Sequence, residues 1–96
     1  MSKLNGREVL IVEDEPLISL EIARAFRKAG AFITATSTLK QALNLVEHDR
    51  LAVAIVDHVL RDGDSTLLCE RLTDRGIPFV IGSGRWKHAR GTYRPC

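Results

Sequence analysis

The sequence predicts one α/β domain built on a parallel sheet. Three observations carry this. Apolar strand-like runs alternate with amphipathic helical patterns in the order β-α-β-α-β-α-β, at about 25 residues per unit, which is the signature of parallel strands joined by right-handed helical crossovers. One run, Leu51 to Val56, is continuously apolar and reads as a strand buried on both faces, in the middle of such a sheet. The length of 96 residues allows one hydrophobic core and not two.

The first strand is Glu8–Val12 (EVLIV), ending on the acids Glu13, Asp14 and Glu15. Pro16 follows at a natural first helical position, where its missing N–H costs nothing, and acids just before it suit the positive end of the helix dipole. Ile18, Ile22, Ala25, Phe26 and Ala29 then form the apolar stripe of the first helix, which Gly30 stops. Phe32–Thr36 (FITAT) is a β-branched strand, less hydrophobic than the first and expected at a sheet edge. Thr38 and Gln41 have capping-box spacing, and Leu39, Ala42, Leu43 and Val46 give the second helix its apolar face. The central strand ends at Asp57. Residues His58 to Asp64 read as a loop with Gly63 in a turn, after which Asp64 or Ser65 caps a third helix carrying Leu67, Leu68 and Leu72 and closed by Gly76. Pro78–Gly82 is the fourth strand, followed by Ser83 and Gly84. From Arg85 onward periodicity of either kind ceases, so residues 85–96 are expected as a basic irregular tail on a body of residues 1–84.

Apolar content of 45% with 27% charged residues suits a soluble globular chain, and with five aromatics the core is expected to be aliphatic. No apolar run approaches a membrane span or a signal-peptide core, so no membrane association is expected and the location is expected to be cytoplasmic. Cys69 and Cys96 lack metal-ligand spacing. The net charge of +2 is uneven: Arg85, Lys87, Arg90 and Arg94 stand in the tail without an acid, leaving ten basic against twelve acidic residues before it. Trp86 and Tyr93 lie among these cations, but four charges without a recognition helix do not make a nucleic-acid site, and no nucleic-acid partner is expected.

In a parallel sheet every strand ends on the same edge, which is where open α/β sheets place ligands and chemistry. Glu13, Asp14, Asp57 and Ser83 therefore converge on one rim. Carboxylates this close repel one another unless a cation sits between them, and hard oxygen donors with room for water suit Mg²⁺. A single acid at a strand end is ordinarily a cap or a solvated loop residue; three strand ends together delivering four suitable groups argue for a site with Asp57 as its reactive centre. His58 beside it is read as a loop residue, since no nucleophile and orienting partner stand in triad arrangement.

Three segments, VLIVEDEP, AIVDHVLRDGDS and IPFVIGSG, stand in this order, the last with a hydroxyl residue five positions after its proline. Together they resemble the response-regulator receiver domain of two-component signalling, over residues 7–84. The resemblance implies a flavodoxin-like doubly wound parallel sheet with strand order 2-1-3-4, the usual fifth strand and helix being missing from this chain. It implies that Glu13, Asp14, Asp57 and the backbone carbonyl of Val59 hold Mg²⁺. Asp57 would accept a phosphoryl group from a sensor histidine kinase or phosphotransfer protein, with Ser83 as the switch hydroxyl. The protein would be a signalling module rather than an enzyme, at most assisting its own phosphorylation and dephosphorylation.

Two departures qualify that pattern. Arg61 stands where many receivers carry proline, and the family's lysine at the end of the fifth strand has no counterpart, Lys87 and Arg94 being at the wrong spacing. Losing that cation is expected to impair phosphoryl transfer and readout. The same shortening leaves the apolar fourth strand as an edge, compatible with a marginal monomer, a homodimer paired across that edge, or a tail folded back over it. A phosphorylation-independent interaction module on the same scaffold is the competing expectation.

Overall fold

The computed structural model describes residues 4–48, 50–57 and 59–82. In chain order the elements are β1 (Glu8–Val12), α1 (Pro16–Lys28), β2 (Phe32–Thr36), α2 (Leu39–His48), β3 (Val53–Asp57), β4 (Val59–Leu60), β5 (Gly63–Asp64), α3 (Thr66–Asp74) and β6 (Phe79–Gly82). Four strands form a parallel sheet in the order β2-β1-β3-β6, which is the expected arrangement, with β2 at one edge. Among the described residues β6 ends the other side of the sheet. The 85–96 tail lies outside the described residues.

The alternation of side chains along each strand divides the core in two. Leu10, Val12, Ala54 and Val56 face Ala42 and Val46 of α2 and Leu68, Cys69 and Leu72 of α3, with Phe79 from β6. Val9, Ile11 and Ile55 face the other way, onto Ala23, Ile22 and Phe26 of α1. β1 and β3 are thus covered on both sides, which is why their sequences are continuous apolar runs. Within the helices the buried face differs from the expected stripe. Ala25 is exposed and Ala23 buried, while Leu67 is 56% exposed and Cys69 takes its place in the core. A three-residue apolar cluster on a helix is compatible with more than one facing direction, and packing against the sheet selects one.

Helix ends follow their local chemistry. Pro16 opens α1, and the Glu15 carboxylate accepts from the Leu17 N–H at 3.4 Å. Gly30 closes it with φ +87°, a left-handed conformation, and the Asn5 side chain packs where any added Cβ would stand. Half of the capping box at α2 is realised: the Gln41 N–H donates to Thr38 Oγ1 at 3.2 Å, while the Gln41 side chain instead accepts from the buried Thr36 hydroxyl. At α3 the Thr66 N–H donates to Asp64 Oδ1 at 3.0 Å, and Ser65 occupies the cap position without a side-chain capping bond.

The expected 58–64 loop contains a short antiparallel hairpin, Val59 pairing with Asp64 and Leu60 with Gly63. Its turn residues are Arg61 and Asp62, and Gly63 has φ +138° with Leu39 Cδ1 3.3 Å from where a Cβ would stand. No helix of the described residues is long and apolar enough to cross a membrane.

Replacing the fully buried Leu72 by alanine is expected to cost about 2–5 kcal/mol, through lost burial and the cavity left behind. Leu67→Ala, on the exposed side of the same helix, should stay within about 0.5 kcal/mol of the parent. Urea unfolding of the two variants measures both, and equal losses would contradict this assignment of the α3 face.

Candidate functional site

The register of the central strands builds the site. Val12 of β1 pairs with Val56 of β3, so the next residues, Glu13 and Asp57, leave the sheet at the same level. Asp57 also pairs with Gly82 of β6, and the Glu13 N–H donates to the Thr36 carbonyl of β2 at 3.0 Å. Both acids are therefore fixed by backbone bonding rather than carried on free loops. Carboxylate oxygens of Glu13, Asp14 and Asp57 all lie within 4.8 Å of one another.

Glu13 and Asp57 are 3% and 5% exposed, and the Asp14 side chain is 24% exposed. Glu13 is oriented further by the Glu15 N–H, which donates to its Oε2 at 2.9 Å. Beside the acids opens a cleft of ≈ 390 Å³, lined by Glu13, Asp14, Ser19, Leu20, Thr36 and Gln41 among others. The rim thus concentrates negative charge on oxygen donors next to solvent-accessible space. Ligand oxygens around an octahedral Mg²⁺ at about 2.0–2.1 Å stand roughly 3–4 Å apart, so a spread of this size can close on one ion or include a bridging water. The donor set is all oxygen and carries no soft ligand, which fits Mg²⁺ better than a thiolate- or imidazole-seeking metal.

The structure brings together three of the expected site residues, Glu13, Asp14 and Asp57. Val59 begins the hairpin immediately beyond. Ser83 and His58 lie outside the described residues.

Sequence reasoning placed a turn at Gly63 but missed what the residues of that turn touch. Arg61 Nε approaches Asp14 Oδ2 at 3.9 Å. Its neighbour Asp62 turns the other way and accepts from the Leu39 and Lys40 N–H groups at 3.0 and 3.2 Å, so a residue 23 positions downstream caps α2. The first of these bonds, with the second in support, holds the Asp62 carboxyl below the usual carboxylate range. The available signal was the Asp62-Gly63 dipeptide, which marks turns. Nothing in it names the helix that the turn would reach.

Residues 9–90 match the family described as Response regulator receiver domain. No curated protein matches the chain by sequence. Among solved structures, the receiver domain of the sensor histidine kinase PA1611 from Pseudomonas aeruginosa PAO1, with a magnesium ion coordinated in its active-site cleft, is 25% identical with a TM-score of 0.73. The match covers 79% of this chain and 66% of that one, so the chain spans just under two thirds of that domain. The receiver domain of the PhyR response regulator from Erythrobacter litoralis is 26% identical with a TM-score of 0.71, covering 93% of this chain and 76% of that one. The response regulator PhyR from Brucella abortus is 30% identical with a TM-score of 0.69, over 79% of this chain and 32% of that one.

Because the folded state lowers the Asp62 pKa, its tie to α2 stabilises the protein fully above the ordinary carboxylate range and is lost as pH falls through the lowered value. Asp62→Ala should therefore show a lower urea midpoint than the parent at pH 7, and the gap should narrow once pH drops below about 4. A gap that persists undiminished in strong acid would contradict the charged cap.

Proposed function

The chain belongs to the response regulator receiver domain family, and on that premise we propose that it is a phosphoacceptor module of a two-component phosphorelay, taking a phosphoryl group on Asp57. The observation that carries this reading is the convergence of Glu13, Asp14 and Asp57, from two neighbouring strand ends, within 4.8 Å. Receiver domains are signalling modules rather than enzymes in the usual sense, and the reading assigns this chain the same role, in the cytoplasm.

In this reading Glu13, Asp14 and Asp57, with the Val59 backbone carbonyl, would hold Mg²⁺. When bound, the ion supplies positive charge to the phosphoryl oxygens as the transfer proceeds. The chain's own residues do the rest. A carboxylate oxygen of Asp57 attacks phosphorus, the bond from phosphorus to the donor breaks in line with it, and the donor departs with that electron pair. The product is an acyl phosphate on Asp57. Asp57 ends β3 while still paired with Gly82 of β6, so its backbone is held in place for the incoming group. The cleft beside α1 reaches Glu13 and Asp14 at the rim. A sensor histidine kinase or phosphotransfer protein fits as the donor, and Ser83, just past β6, is assigned the hydroxyl that answers the new phosphoryl group. The body of residues 1–84 is taken as the functional unit and residues 85–96 as an appendage to it.

Incubation with acetyl phosphate and Mg²⁺, followed by intact mass measurement, should give a single phosphoryl adduct. The adduct should be absent from Asp57→Asn and from samples treated with a chelator. An unmodified parent protein, under conditions that label another receiver, would replace this reading with a phosphorylation-independent interaction module. By calorimetry, Asp14→Ala should remove Mg²⁺ binding measurable in the parent, and retained binding would contradict the assigned ligands.

A further inference from the structure

The acid rim has a cation of its own. Arg61 Nε lies 3.9 Å from Asp14 Oδ2 on a side chain that is 83% exposed. A long exposed side chain is ordinarily poor evidence of anything, but here its base is held on three sides. Hairpin pairing of Leu60 with Gly63 brackets the turn, Asp62 is bound to two N–H groups of α2, and Gly63 sits against Leu39. The backbone of Arg61 therefore has a fixed position at the rim while its guanidinium remains free to swing.

A guanidinium is permanently charged and presents a planar fork of donors that matches both carboxylate and phosphate oxygens. Asp14 is also the most exposed of the three clustered acids, so it is the ligand that a solvent-borne cation meets first. Arg61 and a divalent ion would be competing for the same oxygen. We propose that Arg61 is an exchangeable counter-cation of this site: it pairs with Asp14 in the metal-free protein, is displaced when Mg²⁺ takes Asp14, and then turns to the phosphoryl oxygens at Asp57. The inference rests on the phosphoacceptor reading and adds a positioning residue to it. Asp62 serves Arg61 indirectly, by holding the turn.

The exchange has a signature that a loosened hairpin lacks, because its two halves move in opposite directions. Neutral variants Arg61→Ala and Arg61→Gln should bind Mg²⁺ more tightly than the parent, by about two- to fivefold, the scale of an exposed ion pair. At saturating Mg²⁺ the same variants should bind beryllofluoride, a phosphoryl mimic, more weakly than the parent by a similar factor. Arg61→Lys should move both values back toward the parent, and the differences should shrink as ionic strength rises. Calorimetric titrations with MgCl₂, then with beryllofluoride in excess MgCl₂, read both quantities without any turnover.

Mg²⁺ affinity that is unchanged or weakened in both neutral variants overturns the competition, and unchanged beryllofluoride affinity overturns the exchange. Weakening of both ligands together identifies a structural role for the turn and equally overturns the proposal. These failures leave the site reading intact provided that the parent binds Mg²⁺ and Asp14→Ala does not. A parent protein that binds no Mg²⁺ removes the site reading and this inference with it.

Discussion

Everything at the acid rim depends on the in-register pairing of β1 with β3. Val12 opposite Val56 is what sets Glu13 beside Asp57. A slip of one residue would turn Leu10, Val12, Ala54 and Val56 away from α2 and α3 and carry the acids out of alignment in the same movement. Core and site are therefore specified by one choice. The aliphatic runs that make the strands bury themselves on both faces also leave the first available polar residues at the strand ends, where the backbone already holds them.

Such an arrangement concentrates like charge where burial makes it costly, since Glu13 and Asp57 are both nearly inaccessible. The surroundings answer with directed hydrogen bonding, as from the Glu15 N–H to Glu13, and with a nearby guanidinium at Asp14. These partners orient the carboxylates, and the cluster of three presents a field of oxygen donors that attracts a small hard cation. The chemistry assigned to Asp57 draws on that field, and the fold supplies it through topology.

Much of this was legible in the residues themselves. Continuous apolar runs bounded by acids identified β1 and β3, and the parallel-sheet rule then brought acids separated by more than forty positions to one edge. Glu13, Asp14 and Asp57 were found together for that reason. The faces of α1 and α3 were read less well. Ala25 and Leu67 are apolar at helical spacing, yet they point outward because the sheet sits nearer Ala23 and Cys69, a matter of tertiary packing. The hairpin escaped because two-residue strands have no periodicity to detect. The Asp62 cap escaped for a different reason: capping is normally read within a few residues of the helix start, and this partner comes from beyond the next strand.

That distant cap is matched at the far end of α2. There Arg71 of α3 forks onto Glu47, with Nε and Nη2 donating at 2.6 and 2.8 Å, and Arg75 donates to the Val46 carbonyl. Both ends of α2 are thus bound to the single stretch running from Asp62 to Arg75. Helices usually fray from their termini, and a terminus held by a distant segment cannot fray alone. Transient opening of α2 must release the hairpin or α3 as well, so the amide hydrogens of the helix share the protection of a unit larger than the helix itself.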